Sequence, residues 1–326
     1  MLFLLVPFGC TQSKSIDSAS IDTADSIEEP QEIDADGDGY PLWSSTVDVE
    51  RADCDDADPS VTPETERFIP AGKFYRGEDN TPWSGPQRAI VISDYCIDTF
   101  ETTNVQFVEF MEAQLAMGLD NETVTGEPLF DFEDDDDVFP ERILMTETGF
   151  DVMMGYEMHP VVEVWKWSGE AYCEWAGKAL PTEAQWEKAA RGTDRRNYPW
   201  GNSQPTCELA NFGFIGEQCI GDTIDVGSYP AGVSPYGVHD MAGNVAEWVS
   251  DWFGMNYYED SPDTDPTGPE TGWFDDGQGN AFEAIIARSG NHATGQGDIQ
   301  THYRQPEPVD GSSNGIGFRC ARALLP

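Results

Sequence analysis

Punctuation constrains this chain more than any other feature. Glycine and proline, 32 and 22 of them, recur so often that from Arg67 onward Trp, Gly and Pro are scattered among short apolar stretches. Proline removes a backbone donor and glycine weakens helix and strand alike, so such a segment folds as short elements joined by many loops. Ten tryptophans within a 12% aromatic content still provide the apolar mass of a packed core. Three helices are predicted. Thr102-Thr103-Asn104 offers a cap ahead of Val105, Phe107, Val108 and Met111, and Ser168 caps a helix through Trp175 that Gly177 stops. Thr182 and Gln185 form a capping box for a helix through Ala190 that Gly192 ends. Residues 118–158 lack periodicity and read as a surface insertion whose acidic run, 134–137, is solvated. The fold class is α+β, loop-rich and irregular.

Acidic residues outnumber basic ones by 61 to 17, for a net charge of −44. Clustered Lys and Arg are absent, which excludes a nucleic-acid reader and leaves solubility or cation binding as the use of the acid. Two clusters favour cations. Residues 34–40 read DADGDGY and residues 53–58 read DCDDAD. Alternating carboxylates in a glycine-rich turn suit the six to eight oxygen ligands of calcium. Ser45 stands where an EF-hand needs Glu, so the loop is not an EF-hand. The paired clusters resemble a thrombospondin type 3-like calcium repeat, which implies Asp34, Asp36, Asp38, Tyr40, Asp53, Asp55, Asp56 and Asp58 as ligands in a stiff spacer. The alternative is a solvated acidic linker.

Ahead of this module, Leu2 to Phe8 is apolar, ends in Gly9-Cys10, and gives way to a Ser/Thr/Asp/Glu-rich stretch reaching Glu32. That order resembles the end of a lipoprotein export signal, with Cys10 lipidated and the chain held at the membrane of the cell envelope; the alternative is a frayed apolar end. The expected organisation is export signal 1–10, flexible linker 11–33, calcium repeat 34–66 and main domain 67–326. With Cys10 set aside, six cysteines remain, an even number suited to disulfides in an oxidising compartment. Cys207 and Cys219 are close enough in sequence to clip a local loop. No C-x-x-C pair supports a zinc ribbon or a thioredoxin-type motif.

A series of segments then runs in order: IPAGKFYRG (69–77), DTFETTN (98–104), VVEVWKWSGEAYCEWAGK (161–178), LPTEAQWEKAARG (180–192), YPWGN (198–202), YGVHDMAGNVAEWVSDW (236–252) and GFRC (317–320). Together they resemble the formylglycine-generating enzyme (sulfatase-modifying factor) family, whose fold is similar to that of C-type lectins. The resemblance implies a Cys173–Cys320 disulfide, leaving Cys54 and Cys96 to pair by elimination alone. It implies one calcium site with Asp240 and Glu247 as side-chain ligands and Gly243 and Val245 as carbonyl ligands. The alternative there is a hairpin in which Glu247 is merely salt-bridged. A second implied calcium site uses Asn211 and the Phe212 carbonyl, with Asp222 completing it as a guess.

The family's enzymes hold copper(I) on two cysteines just before GFRC, and soft thiolates select that metal. In this chain no cysteine occurs between Cys219 and Cys320, and Ser289-Gly290-Asn291 replaces the family's Gly-Gly-Ser. His292, His302, Tyr303 and Asp298 occupy the stretch instead; iron or copper on them is one reading, and solvent-facing or structural histidines the other. The expected function is a calcium-stabilised, non-catalytic module that binds a peptide, protein or glycan, with Asn291, His292 and His302 marking a degenerate active-site region. Trp165, Trp167, Trp252 and Tyr257 are candidate rim contacts. An oxidoreductase acting on protein cysteine through a non-standard site, and a purely structural envelope lipoprotein, are the competing readings.

Overall fold

Two reciprocal capping boxes fix where the main helices begin. The computed structural model describes residues 34–38, 40–42, 51–55, 57–132, 141–214 and 217–324, all within one compact unit, Glu32–Pro326. Cys10, the linker 11–33, Asp56 and the acidic run 134–137 lie outside the described residues. Strands β1 (Glu66–Ile69), β2 (Gly72–Arg76), β3 (Arg88–Ile92) and β4 (Tyr95–Asp98) precede helix α1 (Asn104–Ala116). After β5 (Ile143–Met145) and β6 (Phe150–Val152) come α2 (Lys166–Trp175) and α3 (Glu183–Arg191). Then follow β7 (Gly213–Phe214), β8 (Glu217–Gln218), β9 (Ala246–Trp252), α4 (Tyr257–Asp260), β10 (Phe274–Asp275), β11 (Ala281–Phe282), β12 (Ala284–Arg288), β13 (Gln305–Pro308), β14 (Ile316–Phe318) and β15 (Ala321–Ala323).

Thr103 caps α1 and Thr182 caps α3, each exchanging bonds with the glutamine three residues on. Gly192 closes α3 at φ 65°, a backbone conformation glycine adopts without strain. Two expectations need correction. Val105 is 45% exposed; the buried stripe of α1 is Phe107, Phe110, Met111 and Gln114, the 3–4–7 spacing counted from Phe107. Ser168 does not cap α2, which begins two residues earlier behind the extended residue Trp165; Ser168 is buried inside the helix.

The central sheet runs β13-β12-β9-β14, with β9 antiparallel to β12 and parallel to β14. Successive strand residues point to opposite faces. Trp248, Ile285 and Ala287 therefore join a cluster with Phe107, Phe110 and Tyr172 under α1 and α2. Val249, Ala284 and Ile286 join Phe74, Ile90 and Trp186 under α3. A second sheet, β1-β4-β15, and several hairpins complete the strands. No described helix is long and apolar enough to cross a membrane.

Buried ion pairs tie these layers together. Glu183 meets Arg288 (2.8 Å) and Arg304 (2.6 Å), and Glu187 meets Arg191 (2.8 Å) and Arg288 (3.1 Å). Three disulfides, Cys54–Cys96, Cys173–Cys320 and Cys207–Cys219, engage every described cysteine. The first packs Cys54, with Ala52 and Val61, against Phe68 and Cys96. Arg322 binds Asp55 (2.9 Å) and Glu66 (2.6 Å) beside it. The acidic segment is thus fastened to the β1-β4-β15 sheet.

Candidate functional site

The turn between residues 240 and 245 needs backbone that few residues accept. Asp240, Gly243 and Asn244 take φ of 56°, 82° and 62°. A Cβ on Gly243 would lie 2.1 Å from the Asn211 carbonyl oxygen, so only glycine fits there. Asn244 knots the region: its amide donates to Asn211 O (2.7 Å), its Nδ2 to Glu101 Oε2 (2.6 Å), and its carbonyl accepts from the His292 amide (2.9 Å). Its Oδ1 accepts from the Ile224 amide (3.0 Å) and from Asn211 Nδ2 (3.3 Å).

Glu247 receives Arg319 in a two-pronged bond, Nε to Oε2 at 2.7 Å and Nη2 to Oε1 at 2.8 Å, and Trp186 Nε1 donates to Oε2 at 2.8 Å. Oε2 is doubly engaged while Oε1 keeps a lone pair. Asp240 Oδ2 accepts from the Gly227 amide (2.6 Å). Burial pushes the Asp240 carboxyl up to about 6 against the opposing pull of the Gly227 amide and Arg319, with the Glu247 charge adding to the rise. Burial, then Asp240 and Glu247, pushes Glu101 well above the usual carboxylate range, against the opposing pull of Arg319 and the Asn244 amide. Three buried acids therefore share one guanidinium.

Asn211 donates to the Asp222 carbonyl (2.8 Å), while its buried Oδ1 has no hydrogen-bond partner. The Phe212 carbonyl accepts from the Cys219 amide (3.1 Å). The Asp222 carboxylate is engaged by Arg142, by the Thr223 amide (2.7 Å) and by Tyr156 OH (2.9 Å). Burial opposes its ionisation, but Arg142 and these bonds outweigh burial and hold it below the usual range.

In the acidic segment, carboxylate oxygens of Asp34, Asp36 and Asp38 all lie within 4.8 Å of one another. Asp53 lies outside that group but near enough to feel its charge, its amide bonding the Pro41 carbonyl (2.9 Å) and a bridge pairing it with Leu42. Asp53 is fully buried, its Oδ2 lacks a partner, and burial together with the charges of Asp38 and Asp36 pushes it up to about 6. Tyr40 gives its amide to Asp38 Oδ1 (2.8 Å). Asp55 instead faces Arg322, and Asp58 bonds Ser60 (2.7 Å to the hydroxyl).

The stretch from Ser289 to Arg304 is sealed by its own hydrogen bonds. Ser289 and Gly290 take φ of 80° and 62°. Asn291 accepts from the Ala293 amide (3.0 Å), and Asp298 from the Gly295 amide (3.1 Å). His292 Nδ1 lies 3.3 Å from the Asn244 carbonyl. His302 is buried against Arg288, Arg191 and Glu187, and burial drives it down to about 4. Among the described residues, His292, His302 and Asp298 do not form a group able to share a metal. Both rings are buried, and no described cysteine is left as a thiolate donor here, since each is already bonded to another.

Asn244, Glu101 and Arg319 escaped the sequence reading. The Arg of GFRC was a usable signal, because a lone arginine beside a cysteine in so acidic a chain needs a buried acid.

Comparison with known proteins places these features. The model of the sulfatase-modifying factor enzyme 1-like domain matches residues 53–324. A formylglycine-generating enzyme of Thermomonospora curvata is 32% identical over 292 residues, covering 78% of this chain and 91% of that protein. A protein of Chlamydia caviae named serine/threonine-protein kinase pkn1 is 30% identical over 332 residues; the match covers 97% of this chain but only 48% of that relative's length. The structure of PvdO from Pseudomonas aeruginosa aligns with TM-score 0.58 at 22% identity, over 79% of this chain and 94% of PvdO, and so shares the fold.

Proposed function

The chain belongs to the sulfatase-modifying factor enzyme 1-like family, and we propose that within it this protein is a calcium-stabilised binding module without oxidase chemistry. One observation carries the reading. All six described cysteines are consumed in disulfides, and the loop where the family's enzymes seat copper offers only oxygen and nitrogen donors. The residues do not fit that metal. The scaffold around it persists, with Arg319 pinning GFRC to Glu247, which supports reading the groove that holds an extended peptide in the family's enzymes as the place for a peptide, protein or glycan here.

Calcium fits where copper does not. Asp240 and the free lone pair of Glu247 Oε1, with the Gly243 and Val245 carbonyls, supply hard oxygen donors at a place where three acids face one arginine. The partnerless Oδ1 of Asn211 supplies one for the second turn, with the Phe212 carbonyl. Asp34, Asp36, Asp38 and Asp53 supply the third set. The bound ion neutralises the acids and holds the turns that shape the groove. The disulfides further support an oxidising compartment and, with the reading of Cys10 as a lipid attachment point, an envelope lipoprotein.

The deciding experiment measures oxygen consumption by the purified protein with a Cys-x-Pro-x-Arg peptide, with and without copper(I), alongside stoichiometric metal analysis. Bound calcium without turnover is the expected result. Thiol oxidation above background would sink the proposal in favour of an oxidoreductase.

A further inference from the structure

A cavity of about 510 Å³ lies between α1, α2 and the loop at Thr123–Glu127, away from the loop at 289–304 in its lining residues. Helix α2 presents Trp167, Glu170 and Glu174 at successive three- and four-residue steps, so they share one face, and Trp175 follows at 41% exposed. Trp165 stacks on Trp167 at 5.2 Å and 10°, which fixes the plane of the second indole.

Three donors of this groove are already committed. Trp167 Nε1 donates to the Pro128 carbonyl (2.7 Å), and the hydroxyls of Thr123 (2.7 Å) and Thr125 donate to Glu127 Oε2. Acceptors outnumber the donors that remain. Gln114 is only 7% exposed, lines the cavity, and its Oε1 has no hydrogen-bond partner. Three carboxylates, Glu127, Glu170 and Glu174, line the same space, and no Lys, Arg or His does; Lys166 reaches Glu170 from outside the lining.

We propose that this groove receives the ammonium or guanidinium of a Lys or Arg side chain on a basic polypeptide. An indole face attracts such a cation through its quadrupole, the carboxylates neutralise it, and the orphaned Gln114 oxygen takes one of its N–H bonds. A neutral sugar would bring no counter-charge to Glu127, Glu170 and Glu174, whereas a cation does. The net charge of −44 steers a basic partner toward the surface. This names the partner class of the binding module argued above and rests on that reading.

The test titrates a fluorescein-labelled Lys-Gly octapeptide into the full chain with calcium present and follows anisotropy. Binding is expected, with the ε-acetylated peptide about tenfold weaker or worse, since its cations are gone. Glu174→Gln and Trp175→Leu should each weaken binding about three- to fivefold. Asp275→Asn, which removes an exposed acid outside the groove, should leave it unchanged. Glu174 is exposed, so its variant folds even if Trp175→Leu does not. Equal binding of the acetylated peptide, equal effects of Glu174→Gln and Asp275→Asn, or displacement by a neutral oligosaccharide would each overturn the assignment. Absent peptide binding without thiol oxidation refutes the groove alone, whereas thiol oxidation refutes the module reading beneath it.

Discussion

Two buried charged regions of this molecule are built on opposite plans. Beneath α3, Glu183 and Glu187 are matched by Arg191, Arg288 and Arg304, and these arginines hold both carboxyls below the usual range despite burial. Around the 240–245 turn, Glu101, Asp240 and Glu247 share Arg319, and two of the three are pushed up. The first region is complete in the chain itself. The second is short of positive charge, with Arg319 facing three acids, and the calcium proposal rests on that shortage. Self-sufficiency therefore separates scaffold from site here better than burial does, since both are equally buried.

The largest effect should come from breaking the matched region. Arg288→Met takes one of two arginine partners from each of two buried carboxylates and should cost about 3–5 kcal/mol of stability in a denaturant titration. Calcium should not restore it, because no calcium ligand is involved. Rescue of that variant by calcium would erase the distinction between the two regions.

The unmatched region should respond to calcium instead. At a hundredfold excess over Kd, an ion bound only to the folded state adds about 2.7 kcal/mol, so chelation should lower Tm by roughly 5–10 °C. Asn211→Leu should remove part of that shift, as it deletes the orphaned oxygen. A Tm indifferent to chelator would leave the shortage of charge unexplained.

A third effect tests the loop at 289–304 as scaffold. His302 falls to about 4 when folded, against 6.5 for the free side chain. The folded state thus resists protonation, and the stability it contributes, present above pH 6.5, is lost as pH falls toward 4. Between pH 7 and pH 5 the loss is about 2 kcal/mol. His302→Gln should flatten that part of the pH profile of Tm; an unchanged profile would mean that the ring is not held neutral by burial.

The sequence made these regions legible to different degrees. Segment order disclosed the fold, helped by glycines such as Gly243, where a Cβ would meet the Asn211 carbonyl oxygen. The gathering of Asp34, Asp36 and Asp38 was readable from alternation, since a short turn brings close neighbours together. The Glu101–Asn244–Asn211 knot was not, because its members are 143 and 33 residues apart in sequence, and spacing carries no record of such contacts. Of the six expected carboxylate ligands around residues 34–58 that are described, Asp55 was captured by Arg322, a tertiary partner that local pattern cannot foresee, and Asp58 by its near neighbour Ser60.

The smallest effect bears on that same limit. Thr182 and Ser168 look alike as helix starts in sequence, yet Thr182 accepts the Gln185 amide (3.1 Å) whereas Ser168 Oγ is buried inside α2 with no partner. Thr182→Ala should cost about 1 kcal/mol through the lost cap. Ser168→Ala should be neutral or mildly stabilising, because it removes a desolvated hydroxyl and substitutes the residue best suited to a helix interior. Thermal melts of the two variants side by side decide it. Equal destabilisation would return Ser168 to the cap position and shift the start of α2 by three residues, leaving Trp167 ahead of the helix.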